Sequence, residues 1–140
     1  MERQQFTETV NERTDADLEG EAVTDTVRAV LSTLGERLSD DQARDLAAQL
    51  PGDLGSPLTE GESGQRFSEE EFVARVDQRL ETTDVTGQQA ATAVMGTLLE
   101  AVDAEERAAV VDQFEHYGFE ELLSETEADV DVTDRSPRER

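Results

Sequence analysis

The sequence predicts an all-α fold of duplicated three-helix units packed as one helical bundle, followed by a disordered C-terminal tail. Apolar residues recur at helical spacing in several segments, capping residues stand directly before those segments, and no convincing strand pattern occurs before residue 124. The longest apolar stripes lie in residues 20–38 and 86–102. We therefore expect these two helices to form the core.

The chain repeats its own pattern. Residues 27–38 (VRAVLSTLGERL) align with residues 91–102 (ATAVMGTLLEAV) at a constant offset of 64 residues. The aligned pairs include Ala29 with Ala93, Thr33 with Thr97, Leu34 with Leu98, Glu36 with Glu100 and Leu58 with Leu122. Upstream, a two-residue shift pairs Phe6, Val10 and Arg13 with Phe72, Val76 and Arg79. Each half is therefore predicted to contain a short, a long and a medium helix.

These patterns predict a single all-helical domain over residues 1–123, made of two repeats at 3–58 and 67–123. The linker 59–66 lies in a segment rich in Gly, Ser, Pro and Glu. The remaining residues, 124–140, form an acidic tail that ends in an Arg-rich stretch. Its alternating residues 129–133 resemble a strand, but no other strand is available to pair with them, so we interpret the tail as disordered.

Helix starts and stops are marked by specific residues. A side chain that accepts a hydrogen bond from the third residue of a helix satisfies one of its unpaired N–H groups. Capping boxes are predicted for Ser39 with Gln42, Ser68 with Glu71 and Thr86 with Gln89, and an acidic cap for Asp103 with Glu106. Leu50-Pro51-Gly52 should end the third helix, and Gly118 should end the last one after Tyr117.

Composition excludes several kinds of chemistry. The chain contains no Cys and no Lys, and His116 is its only histidine. Disulfides, thiol catalysis, Cys-bound metals, Schiff bases and multi-His metal sites are therefore excluded. No apolar run approaches the length of a membrane span and the first residues lack a signal-peptide pattern, so we expect a cytoplasmic protein without a membrane partner.

The net charge of −23 comes from 35 acidic and 12 basic residues, all of the latter Arg. The chain is rich in Asp and Glu, lacks Lys, and uses Val and Ala in place of larger aliphatic residues. This composition suggests a salt-loving archaeal source, because high salt screens the repulsion among carboxylates. The alternative is an acidic mimic of nucleic acid, but the acidic residues are spread along the whole chain. Direct nucleic-acid binding is disfavoured, because the body of the chain has no Arg cluster.

Residues 28–54 (RAVLSTLGERLSDDQARDLAAQLPGDL) carry a family resemblance. They resemble domain-of-unknown-function family 2267, whose members show a Phe-led helix, a long Leu-rich helix and a helix that ends at Gln-Leu-Pro. The resemblance covers roughly residues 3–123, and the second copy replaces Gln-Leu-Pro with Gln113-Phe114-Glu115. It implies an all-helical, often duplicated fold and no established activity, cofactor or catalytic residue.

One candidate ligand cleft surrounds His116, Tyr117 and Phe119, with His116 as a base in the functional interpretation. The structural interpretation is a helix C-terminus with a favourable His, at which nearby Phe side chains close the core. No catalytic, cofactor-binding or metal-binding residue is predicted, since the paired carboxylates fall in first helical turns where the helix dipole favours them. Arg37 with Asp41 and Arg75 with Glu71 are predicted ion pairs; a shared Arg pocket for an anion is the alternative.

The sequence thus predicts a non-enzymatic helical binding or scaffolding module of a halophilic cytoplasm, with an unidentified protein as its partner. The alternative is a small-molecule-binding or enzymatic domain that uses the aromatic cleft near His116. No cofactor and no particular oligomeric state follow from the residues.

Overall fold

The structure, a computed structural model, describes residues 2–14, 16, 18–51, 53–81, 84–119, 122 and 124, and no strand occurs among them. The α-helices are α1 (Arg3–Thr14), α2 (Glu21–Arg37), α3 (Asp40–Gln49), α4 (Glu69–Arg79), α5 (Gly87–Ala101) and α6 (Ala104–Tyr117). A 3₁₀ helix covers Ser56–Thr59. The all-α prediction is confirmed.

One apolar core joins all six helices. α2 and α5 contribute most to it, because each buries residues along nearly its whole length. The four residues that the repeat register equates, Leu34 with Leu98 and Leu46 with Val110, are all fully buried. The burial supports the duplication, which stays a prediction. Among the described residues no helix is long and apolar enough to cross a membrane.

Each predicted cap residue does accept a hydrogen bond from the third residue of its helix. Only Thr86 and Gln89 complete a reciprocal capping box. The predicted boxes at Ser39 and Ser68 are wrong in their second half, because the side chain of the third residue binds another side chain instead. Gln42 donates to the Glu106 carboxylate, and Glu71 accepts a hydrogen bond from Arg75 Nε at 2.9 Å.

The 3₁₀ helix is an element that the sequence analysis does not predict. Its Leu58 is buried against α2 at Gly35, where a Cβ would lie only 2.1 Å from the Leu58 carbonyl oxygen. Only glycine therefore permits this close approach. A Gly within the apolar stripe of α2, together with Pro57 at the start of a helical turn, is the signal that indicates it in retrospect.

α1 packs mainly on α5, the long helix of the other predicted half, whereas α4 packs on both long helices, α5 and α2. The α1–α5 and α4–α2 contacts use the same residue types. Arg13 donates to Thr97 Oγ1 at 2.9 Å and to Glu100 Oε2 at 2.5 Å. Arg79 donates to Thr33 Oγ1 at 2.9 Å and to Glu36 Oε2 at 3.0 Å. These reciprocal contacts hold the halves together and fix the position of α4.

The predicted linker 59–66 is attached to α2. The N–H of Gly64 donates to the Leu38 carbonyl at 2.7 Å, and that of Gln65 to the Glu36 carbonyl at 2.8 Å. The linker therefore positions the start of α4 beside the end of α2. The predicted disordered tail 124–140 lies, apart from Ser124, outside the described residues.

Candidate functional site

The predicted cleft residues lie at the C-terminal end of α6. The helix ends at Gly118, whose φ of 83° lies in the left-handed region that glycine adopts without steric cost. Gly118 N–H donates to the Glu115 carbonyl at 3.1 Å, and Phe119 N–H to the Phe114 carbonyl at 2.9 Å. This pair of bonds is a Schellman motif, a common helix terminus, which supports the structural interpretation of the segment.

Phe119 turns inward directly after this motif and is fully buried. Its ring centroid lies 5.5 Å from that of Phe72 and 5.7 Å from that of Phe114, both in tilted arrangements. Such tilted aromatic pairs stabilise a core by about 0.5–1.5 kcal/mol beyond the burial of their area. Phe119 therefore fills space that a ligand cleft would need.

Of the three residues of the candidate cleft, the structure describes the side chains of two, and these lie in different environments. His116 is exposed on α6, Phe119 is buried in the core, and the side chain of Tyr117 lies outside the described residues. An exposed imidazole lacks the burial expected of a preorganised base. The ligand cleft stays a prediction that this geometry does not favour.

A second cluster joins the end of α2 to the start of α4. Arg75 donates to Glu36 at 3.0 Å, to Gln65 at 3.1 Å and to Glu71 at 2.9 Å. Its guanidinium also stacks over the Phe67 ring, 4.0 Å from the centroid. The hydrogen bond to Glu71 raises the pKa of Arg75, an effect that its burial opposes and that Glu36 reinforces.

This cluster confirms the predicted Arg75–Glu71 pair. Arg37 Nε donates to the Phe67 carbonyl at 3.0 Å, and the predicted Arg37–Asp41 pair stays a prediction. Glu36 accepts from both Arg75 and Arg79, and its side chain is only 14% exposed. Because carboxylates of the same chain already neutralise these guanidinium groups, the cluster is better suited to joining the two halves than to binding an anion.

Glu106 forms a third cluster, at the N-terminus of α6. Burial raises the pKa of its carboxyl, the Gln42 side chain that donates to it lowers the pKa, and Asp45, Asp103 and Glu105 raise it further. In the part of the chain that the structure describes, no group of three acidic or histidine side chains is arranged to hold a metal ion. The hydrogen bond from Gln42 to Glu106 joins α3 to α6.

An open groove of about 340 Å³ runs along one face of α4. We call it the α4 groove; it is lined by Glu69, Glu70, Val73, Ala74 and Asp77 of α4 and by Gln88 of α5. Val73 is partly buried and Ala74 is exposed, so they form an apolar floor. The three carboxylates provide an acidic rim.

Close packing of two helices creates the groove. A Cβ on Gly87 would lie 2.5 Å from the Val73 carbonyl oxygen, so the start of α5 approaches the α4 backbone directly. Asp77 accepts a hydrogen bond from the Gly87 N–H at 2.9 Å, which holds the two helices in this position. The groove is thus built on regular, well-anchored elements.

Sequence reasoning missed this groove. The sequence analysis attributes the acidic pairs in first helical turns to the helix dipole alone, although positions 69, 70, 73, 74 and 77 share one helical face. That shared face, with small apolar residues between acidic ones, is the signal that indicates a groove floor and rim. The wall supplied by Gln88 depends on how α5 packs, which the helical period does not specify.

The comparisons with known proteins give one family. A family model described as "Uncharacterized conserved protein (DUF2267)" matches residues 3–132. The match includes both predicted repeats, and it extends beyond the stretch 3–123 that carries the resemblance in the sequence. Comparison with curated proteins gives no match. The chain therefore belongs to the DUF2267 family of uncharacterised conserved proteins.

Proposed function

We propose that the protein is a non-enzymatic helical binding module whose α4 groove takes a basic segment of a partner protein. The groove itself carries the proposal: it combines an apolar floor at Val73 and Ala74 with carboxylates on its rim. A helix or extended segment with Arg or Lys fits this chemistry, because long basic side chains cover apolar surface with their stems and place the charge at the edge.

Two features support binding rather than catalysis. Phe119, one of the residues that suggested a cleft, packs against Phe72 and Phe114, and His116 is exposed at a helix end. The buried hydroxyls of Thr26, Thr33 and Thr97 each donate to a carbonyl four residues earlier. These groups are therefore occupied by the helix itself.

The composition supports a halophilic cytoplasm as the setting. Thirty-five carboxylates against twelve Arg produce strong self-repulsion in dilute salt, and molar salt shortens the screening length to about 3 Å. In that medium the partner needs apolar contact as well as charge, since screened ion pairs contribute little by themselves. The apolar floor of the α4 groove meets this requirement.

A defined peptide tests the proposal. The probe is a synthetic amphipathic peptide with Leu and Arg at helical spacing, and its control carries Glu in place of Arg. The chain has no native Cys, so an environment-sensitive dye on Ala74→Cys reports occupancy of the groove. We expect saturable binding of the Arg peptide and no binding of the Glu peptide.

Two matched variants locate the binding site. Glu70→Arg changes the groove rim, whereas Asp41→Arg makes the same change at the same position of α3, the second residue after a Ser cap. We expect Glu70→Arg to weaken binding up to about fivefold, because exposed charge contacts contribute about 0.2–1 kcal/mol each and 1.4 kcal/mol is tenfold. Asp41→Arg should change it little. Equal weakening by both variants would show general charge attraction and contradict the proposed site.

A further inference from the structure

The chain leaves the described fold beside the α4 groove. Leu122 is fully buried, and its N–H donates to the carboxylate of Glu69, a residue of the groove rim. Phe119 is also buried and contacts Phe72 of α4. The segment after α6 is therefore fastened to α4, and the residues that follow begin next to the groove.

Residues 135–140 carry the opposite charge from the groove. Residues 135–140 (RSPRER) contain three of the twelve Arg residues and one Glu. They are the most basic stretch of a chain whose net charge is −23. The rim of the groove offers Glu70 and Asp77, both exposed, beside the half-buried Glu69.

The stretch of chain between Leu122 and residues 135–140 is long enough for those residues to reach the α4 groove. Twelve residues, 123–134, separate Leu122 from Arg135, and an extended chain of that length reaches up to about 40 Å. Helix α4 has 11 residues, so it is only about 16 Å long. The terminal segment can therefore reach every point of the groove. For a tether of this length, an intramolecular ligand has an effective concentration on the order of millimolar.

We infer that the Arg-rich segment 135–140 of the same chain occupies the α4 groove until a basic partner segment displaces it. The inference rests on the proposed function, because it describes how that site is regulated. Arg side chains lie with their stems on Val73 and Ala74 and with their guanidinium groups at the carboxylate rim. The partner then competes with an intramolecular ligand, which raises the concentration of partner needed for binding.

Paramagnetic relaxation measures the contact directly. A spin label is attached to Ser136→Cys in the full chain, in the lowest KCl concentration at which the protein is fully helical. We expect loss of the amide signals of Val73, Ala74 and Asp77, while those of Ala43 and Ala47 on α3 persist. Replacing Arg135, Arg138 and Arg140 with Gln should restore the groove signals. Equal signal loss on α3 and α4, or no loss on either, would overturn the inference.

A mixed sample identifies which chain supplies the segment. Isotope-labelled protein without a spin label is combined with spin-labelled protein that carries no isotope. Loss of groove signals in this sample at the level seen in the single chain would assign the occupant to a second copy and overturn the intramolecular inference. Persistence of the signals supports it.

The Arg-to-Gln variant also separates this inference from the proposed function. We expect it to bind the Arg peptide several-fold more tightly than the unaltered chain does, because the internal competitor is lost. Equal peptide binding by both proteins would leave the binding module intact and contradict self-occupation. If neither protein binds the peptide while the spin label still affects the groove, the proposed function fails and the self-contact stands.

Discussion

At the residue scale, the position of a residue in the fold decides whether its side chain is exposed to a ligand or buried in the core. His116 is the only histidine, yet it is exposed at a helix end. Phe119, three residues later, is fully buried between two other Phe rings. The left-handed Gly118 between them reverses the direction of the chain, so neighbours in sequence meet different environments.

We expect His116→Gln to leave the fold intact. A cationic side chain at a helix C-terminus contributes about 0.3–1 kcal/mol, and less in high salt, so the loss of stability should be below about 1 kcal/mol. Thermal melts followed by circular dichroism measure this loss. Binding of the Arg peptide should be unchanged. An intact fold that loses a bound ligand or a reaction would instead support the alternative site near His116.

Glu106 leads to a prediction about pH. Its pKa is raised chiefly by burial, so the folded chain holds its proton to higher pH than the unfolded chain does. Ionisation of Glu106 therefore costs stability as pH rises from the unfolded pKa, about 4.3, through the raised folded pKa. At neutral pH, Glu106→Gln should be more stable than Glu105→Gln by less than about 1 kcal/mol.

Glu105→Gln is the matched control for this change. It lies in the same first turn, so both variants lose a similar interaction with the helix dipole. The difference between their unfolding free energies, measured by denaturant titration, should shrink as pH falls through the raised pKa of Glu106, because the native Glu106 carboxyl then becomes protonated. A Glu106→Gln protein that is less stable than Glu105→Gln at neutral pH would show that Glu106 is favoured in its ionised form.

At the element scale, the main feature is the exchange of contacts between the two halves. Arg13 of α1 reaches α5, and Arg79 of α4 reaches α2, each through one Thr and one Glu three residues apart. Each Thr hydroxyl in turn donates to its own helix at Ala29 or Ala93. The same arrangement on both sides supports the duplicated origin that we propose for the fold.

We expect Arg13→Met and Arg79→Met both to destabilise the protein. Each loses hydrogen bonds of a charged donor, which contribute about 1.5–3 kcal/mol. Arg13→Met should cost more, because the Arg13 side chain is 11% exposed and that of Arg79 is 37% exposed. Denaturant unfolding measures both effects.

Arg44→Met is the control for these variants. Arg44 pairs with Asp40 at a site where its side chain is 68% exposed, so the change should stay within about 0.5 kcal/mol. If Arg13→Met or Arg79→Met lowered the free energy of unfolding no more than this control does, the contact made by that Arg would not contribute to stability. That result would weaken the case for two equivalent repeats.

At the scale of the whole molecule, the burial of apolar residues in a single core has to offset the repulsion among many surface carboxylates. Leu, Val and Phe make up about 22% of the chain, a small apolar share for a net charge of −23. The apolar residues compensate by full burial, since most core positions are almost inaccessible to solvent. The remaining cost is repulsion among carboxylates, which depends on the medium.

Stability should therefore rise with salt. Between about 10 mM and 1 M KCl the screening length falls from about 30 Å to 3 Å, which removes most long-range repulsion. Each 1 kcal/mol relieved should raise the melting temperature by roughly 2–8 °C. Helicity and melting temperature measured by far-UV circular dichroism across this range test the expectation. A protein fully folded in about 10 mM salt, with a melting point insensitive to KCl, would favour the acidic-mimic interpretation.

The sequence alone determined the helices and their ends, because a helix depends on contacts within about four residues. Ser39, Ser68, Thr86 and Asp103 each cap the predicted helix, and Gly118 ends the last one as expected. The family also followed from local patterns, since the resemblance in residues 28–54 agrees with the matching family model. The apolar period likewise identified the buried faces of α2 and α5.

Only the tertiary structure decided which side chains meet across the helices. Gln42 leaves its predicted capping box for Glu106, 64 residues away, and Arg13 reaches Thr97, 84 residues away. The α4 groove likewise requires the start of α5 to approach at Gly87. Helical period identifies the face on which a residue lies, whereas the neighbour of that face depends on how all six helices close around one core. The candidate binding site belongs to this second kind of information.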